Sequence, residues 1–146
     1  MVNRLSLVDA TLADRISAAG PEAQRAVARN VALAAAEHVG LDDERLASIL
    51  AILRADVAEV PDLTRANAAV EDLDNAAFDA QDRVEDGTGS DDDYARAFAK
   101  ARAATALVAA FADDPAEGAE DAIYEAYHAT DEDMGPLRDT IEQVLS

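Results

Sequence analysis

The sequence predicts an all-α protein, a single-domain helical bundle of about seven helices with a central antiparallel hairpin. Alanine makes up about a quarter of the 146 residues, and alanine is the best helix former and a poor strand former. Aromatic residues account for only 4% of the chain, and no run alternates apolar and polar residues as a half-buried strand would. Half of the residues are apolar, so residues 1–146 can enclose one core as one domain.

The first three helices are predicted from apolar stripes and from glycine and proline stops. Helix one is expected from near Ser6 to before Gly20, and helix two continues to about His38. Helix three is expected to start after Asp42 and to end at Pro61. The stripes are Leu5, Val8, Leu12 and Ile16 in helix one, Val27 and Val31 in helix two, and Leu46, Ile49, Leu50, Leu53 and Val57 in helix three.

Helices four and five are predicted to form an antiparallel pair on which the bundle is centred. Helix four begins at Asp62 or Thr64 and reaches about Val84, and Ser90 caps helix five. The small side chains of helix five allow a neighbouring helix to approach closely. Helices five and six together, over Ser90–Thr130, are also interpreted as the central hairpin of the bundle.

The last two helices are predicted from a proline in the first turn of each. Asp114 is expected to cap helix six, with Pro115 at its first position. Gly135 and Pro136 are expected to open the final helix.

The formal net charge of −19 at pH 7 is the strongest global signal. Small soluble domains usually carry a net charge of magnitude about 2 to 8. Nucleic acids and anionic membranes are bound through basic patches, so this excess of acids argues against both as partners. A basic protein partner fits the charge, and a homo-oligomer is compatible with it. The alternative interpretation is that the charge serves only solubility or adaptation to salt.

The chain contains no cysteine, which excludes disulfides, thiolate catalysis and cysteine-ligated metal centres. No Gly-rich phosphate loop is present, and no cofactor is expected. The sequence contains neither a signal-peptide pattern nor eighteen uninterrupted apolar residues, so the expected location is the cytoplasm.

Glu125 and His128 put a carboxylate and an imidazole three residues apart on one helical face. Di-iron bundles use this spacing, but they need a second such pair and two further glutamates. The second histidine, His38, has Ala35 in the corresponding position, so the second pair is missing. One interpretation of Glu125 and His128 is a metal- or small-ligand-dependent enzyme. The other is that both histidines are half-buried side chains near helix C-termini, where positive charge is favourable.

The only basic cluster of the chain lies in helix five and consists of Arg96, Lys100 and Arg102. One interpretation is a small anion pocket, with Tyr94 and Tyr124 as its walls. The other pairs these cations with acids of helix four across the hairpin, and Arg96 with Asp92 within helix five.

No catalytic set is assembled in the sequence, and the leading hypothesis is a non-enzymatic, acidic interaction protein. Its concrete form is an immunity- or antitoxin-like inhibitor of a basic partner, because acidic surfaces steer basic proteins into contact. The expected partner-binding surface joins the outer side of helix four to the start of helix five and contains Asp72, Asp79, Asp82, Asp91, Asp92 and Asp93.

Four short segments are similar to parts of a protein group from GC-rich actinobacteria. The segments are Gln24–Ala28, Glu37–Leu41, Ala97–Ala104 and Ala122–Ala126. The chain therefore resembles small, acidic, alanine-rich helical proteins of these bacteria. The resemblance implies a bacterial, cytoplasmic helical domain and brings no activity, cofactor or catalytic residue with it.

Overall fold

The computed structural model describes residues 4–56, 59 and 61–145. Within them the chain forms eight α-helices, one short 3₁₀ helix and no strand, which confirms the all-α bundle. The helices are α1 Arg4–Val8, α2 Ala10–Ala18, α3 Pro21–Val39, the 3₁₀ helix Glu44–Leu46, α4 Ala47–Ala55, α5 Thr64–Glu85, α6 Asp91–Ala109, α7 Pro115–Ala129 and α8 Gly135–Leu145. None of these helices is both long and apolar enough to cross a bilayer.

The caps of the later helices are those that the sequence predicts. The Ser90 hydroxyl accepts a hydrogen bond from the Asp93 amide at the start of α6. The Asp114 carboxylate accepts from the amides of Ala116 and Glu117 at the start of α7. Gly40 ends α3 in the left-handed conformation, with φ of 65°, where its missing Cβ avoids strain.

The prediction of one continuous first helix is wrong, because the helix is interrupted at Asp9. Asp9 adopts an extended backbone with φ of −152°, and its carboxylate accepts from the Leu12 amide at 3.0 Å. Aspartate is a strong helix N-cap, so the segment becomes two helices, α1 and α2. This division raises the number of α-helices from about seven to eight.

Predicted helix three also differs at its ends. It opens as the 3₁₀ helix, where the Asp43 carboxylate accepts from the Arg45 amide at 2.9 Å. It ends at Ala55 rather than at Pro61, since Asp56 turns left-handed with φ of 53°. The predicted stripe is buried at Leu46, Ile49, Leu50 and Leu53, and Val57 lies outside the described residues.

The centre of the bundle consists of α3, α6 and α7, each packed against the other two. The α6–α7 hairpin is therefore central, as predicted. The pair of predicted helices four and five forms as α5 and α6, but α5 packs mainly on α6 and lies at the edge of the bundle. Much of the buried surface of α3 and α6 is alanine. Alanine's small side chain lets these backbones come close, but it does not by itself determine which helices pair.

Candidate interaction face

Aromatic side chains of α6 and α7 form a cluster around His128. Tyr94 and Phe98 are one helical turn apart, with ring centroids at 6.0 Å. The His128 ring lies edge-on to Phe98 at 6.4 Å, to Tyr124 at 4.7 Å and to Tyr127 at 5.3 Å. The rings meet because residues four apart share a helix face and α6 packs against α7.

Phe78 lies on α5, the helix that packs on α6 beside this cluster. The α5–α6 hairpin is antiparallel, and Asp74 of α5 contacts Arg102 of α6. Phe78 lies one turn nearer the hairpin tip than Asp74, on the same side of α5, and its ring contacts no other described aromatic ring. The Phe78 side chain is 63% exposed, which is unusual for so large an apolar group.

We call this surface the aromatic face and define it as Phe78, Tyr94, Phe98, Tyr124, Tyr127 and His128. It contains five of the six phenylalanine and tyrosine residues of the chain. Tyr94, Phe98 and Tyr124 are half-buried and lie outside the hydrophobic core cluster, whereas Tyr127 packs partly against it. Four of the rings therefore form one cluster with His128 where α6 packs against α7, and Phe78 is exposed on the neighbouring helix α5.

A chain of charged groups, here called the Glu125 clamp, adjoins the aromatic face. It comprises Asp74, Arg102, Glu125, Arg4 and Asp121. Glu125 is only 2% exposed; its carboxylate accepts from Arg102 Nη1 at 2.9 Å and from Arg4 Nη1 at 3.2 Å. Arg102 Nη2 also donates to Asp74 at 2.6 Å, and Arg4 Nη2 donates to Asp121 at 3.4 Å. The clamp thus ties α1, α5 and α6 to α7.

The arginines of the clamp are stabilised by neighbouring carboxylates and by an aromatic ring. Burial alone lowers the pKa of Arg102, but the carboxylates of Glu125 and Asp74 outweigh it and raise that pKa above its ordinary value. The Arg4 guanidinium stacks over the Tyr124 ring at 4.4 Å, a cation–π contact that links the clamp to the aromatic face.

The structure gives Glu125 and His128 other partners than a metal ion. Both oxygens of Glu125 are occupied by arginine, and His128 Nδ1 lies 3.6 Å from Glu132 Oε1. Within the described part of the chain, no three histidine or acidic side chains come together in a set that could hold a metal. A metal role for this pair remains a sequence prediction without a ligand set around it.

The structure separates the predicted anion pocket into two places. Arg102 belongs to the Glu125 clamp and pairs across the hairpin with Asp74, as the alternative interpretation expects. Arg96 and Lys100 line a separate groove, and Arg96 pairs with Asp93 at 3.1 Å rather than with Asp92. The predicted walls, Tyr94 and Tyr124, belong to the aromatic face.

His38 differs from its expected environment. It lies in the last turn of α3 as predicted, but its side chain is exposed instead of half-buried. The buried positions of the last turns of α3 are Ala35 and Ala36, so His38 lies off the buried face of this helix. His38 instead lines the groove with Arg96 and Lys100.

The predicted acidic surface is present and exposed at Asp72, Asp79, Asp82 and Asp91–Asp93. Asp72 is engaged by Arg45, and Asp82 is one turn from Phe78 on the same face of α5. Two further exposed acids, Glu71 and Glu85, lie two turns from Phe78 on that face.

The chain matches no protein-family model, no curated protein and no solved structure. The resemblance to actinobacterial helical proteins therefore stays a prediction.

Proposed function

We propose that this protein is a non-enzymatic interaction protein that docks a basic partner through the aromatic face. The observation that carries the proposal is the cluster of four of the six Phe and Tyr rings with His128, beside the exposed Phe78 of the neighbouring helix α5. An immunity- or antitoxin-like inhibitor of a basic protein is the form that best fits this arrangement.

The composition of the face is that of a binding hot spot. Aromatic residues and arginine contribute most of the energy in protein interfaces, and they work best near the centre of the contact. Phe78 is the most exposed ring described. Covering its apolar surface would contribute about 1–2 kcal/mol, because full burial of such a side chain contributes about 1.5–3 kcal/mol.

Acids surround this apolar centre. Glu71, Asp82 and Glu85 border Phe78 on α5, and Asp91–Asp93 lie near the hairpin tip. An apolar centre with an acidic rim suits a partner that presents an apolar segment flanked by lysine or arginine. The rim and the net charge of −19 would speed association at low salt.

The Glu125 clamp supports docking by holding the face rigid. It fixes α1, α5 and α6 on α7 through a carboxylate that is 2% exposed. A surface that is already ordered loses less conformational entropy when it binds.

The test compares retention of a partner from host lysate by three immobilised proteins. These are the wild type, Phe78→Ala, and Leu7→Ala as the matched control, since Leu7 is the other large apolar side chain among the described residues that is highly exposed, at 78%. We expect the wild type and Leu7→Ala to retain one basic protein that is released at high salt, and Phe78→Ala to lose it. Equal retention by all three proteins, or by none, would overturn the proposal.

A further inference from the structure

A groove of about 680 Å³ lies where the ends of three helices meet, apart from the aromatic face. Its walls come from the C-terminal end of α3, the first half of α6 and the turn after α7. Small-molecule sites usually enclose about 300–1,000 Å³. The methyl groups of Ala95, Ala99 and Ala129 supply apolar surface among the charged side chains of this groove.

The groove carries opposite charges that do not neutralise each other directly. Lys100, the only lysine of the chain, lines it together with Asp92 and Asp131. None of these three side chains makes a hydrogen bond or an ion pair with any described residue, although they line one space. Arg96 adds a second positive charge, partly balanced by its pair with Asp93 at 3.1 Å.

The backbone beside the groove is left-handed at two consecutive non-glycine residues. Asp131 and the next residue, Glu132, have φ of 57° and 59°, and such left-handed non-glycine residues often mark functional sites. Thr130, which is 2% exposed, fixes the turn. Its hydroxyl oxygen lies within hydrogen-bonding distance of the carbonyl oxygens of Ala126, at 3.1 Å, and of Asp133, at 2.8 Å.

We propose that this groove binds a small zwitterion with an apolar body, specifically a free α-amino acid with an aliphatic side chain. Lys100, with help from Arg96, receives the carboxylate, and Asp131 receives the ammonium group. The aliphatic side chain lies on the alanine methyl groups.

Only a zwitterion can pair with both the positive and the negative side chains of the groove. A simple anion that reached Lys100 would be repelled by Asp92 and Asp131, in a protein of net charge −19. A simple cation would meet Arg96 and Lys100. A molecule with both charges completes an ion pair on each side, and this site is independent of partner docking on the aromatic face.

The test is a titration followed by ¹H–¹⁵N NMR, with L-leucine as the probe. N-acetyl-leucine lacks the ammonium charge and leucinamide lacks the carboxylate, so each analogue removes one of the two contacts. We expect L-leucine to give saturable shifts at groove residues, with each analogue bound at least about tenfold more weakly, as expected for one lost charged contact.

Two variants locate the site and a third controls for net charge. Lys100→Met keeps the aliphatic chain, and Asp131→Asn keeps a residue that tolerates the left-handed conformation. Both should weaken L-leucine binding at least about tenfold, whereas Asp139→Asn, at an exposed position of α8, should not. The proposal is overturned if L-leucine gives no saturable shift, if N-acetyl-leucine binds equally well, or if folded Lys100→Met binds like the wild type.

Discussion

Replacing Glu125 with glutamine removes the central charge of the Glu125 clamp while keeping the shape of the side chain. Glu125 is 2% exposed and accepts hydrogen bonds from Arg102 at 2.9 Å and from Arg4 at 3.2 Å. Each hydrogen bond to a charged group contributes about 1.5–3 kcal/mol to stability. The Arg4 side chain is 52% exposed, and solvent screens its share, so the expected loss is about 2–4 kcal/mol.

Urea unfolding followed by circular dichroism at neutral pH measures this loss. Asp121→Asn is the matched control, because Asp121 is 38% exposed and its ion pair is with Arg4, at 3.4 Å. We expect that variant to lose less than about 1 kcal/mol. If Glu125→Gln also loses less than about 1 kcal/mol, the clamp does not hold these helices together.

A double variant tests whether Glu125 and Arg102 stabilise the fold by interacting with each other. Glu125→Leu and Arg102→Leu each leave one charge without its buried partner, whereas the combination removes both charges. The double variant should therefore be more stable than the sum of the two single losses implies. Strict additivity would show that the two groups do not interact.

Three further predictions concern stability. Asp9→Ala removes the cap that divides α1 from α2 and should cost about 1 kcal/mol in urea unfolding; an unchanged midpoint would mean that the cap contributes nothing. The hydrogen bond from Arg45 holds the pKa of Asp43 below its ordinary value of 3.8, so its stabilisation is present above that pH and is lost as pH falls through the lower, folded-state pKa. Asp43→Asn should therefore flatten the acid limb of the stability profile, and an unaltered limb would contradict this. Raising NaCl from about 0.01 to 0.15 M shortens the Debye length from about 30 to 8 Å and should raise the melting temperature, whereas a flat or falling response would mean that the acids are already paired.

Several helix ends could be predicted from the sequence because their caps depend on residues within one turn. Ser90, Asp114 and Gly40 cap or end the helices that the sequence assigns to them. The apolar pattern does not predict the break at Asp9, because Leu5, Leu12 and Ile16 keep helical spacing across it. All three side chains are buried in the structure. An apolar stripe reports a shared face and does not show whether the backbone hydrogen bonds continue.

The arrangement of the helices and the aromatic face could not be predicted in the same way. Alanine is buried on the edge helix α5 as well as on the central helices α3, α6 and α7, so the pattern does not identify which helices form the centre. Phe78 is exposed, away from the buried alanines of α5, and spacing within one helix does not show that α5 packs on the helix that carries Tyr94 and Phe98. An aromatic residue off the stripe and among acids is the one signal in the sequence that could have indicated this surface.

Photo-crosslinking in the host cell tests the docking claim most directly. A photoreactive phenylalanine analogue replaces Phe78 in one protein and Leu7 in another, both being exposed positions. We predict a single light-dependent adduct with a basic protein from position 78 and none from position 7, and an excess of unlabelled wild type should suppress it. No adduct at position 78, or the same adducts at both positions, would contradict the assignment of the aromatic face as the docking surface.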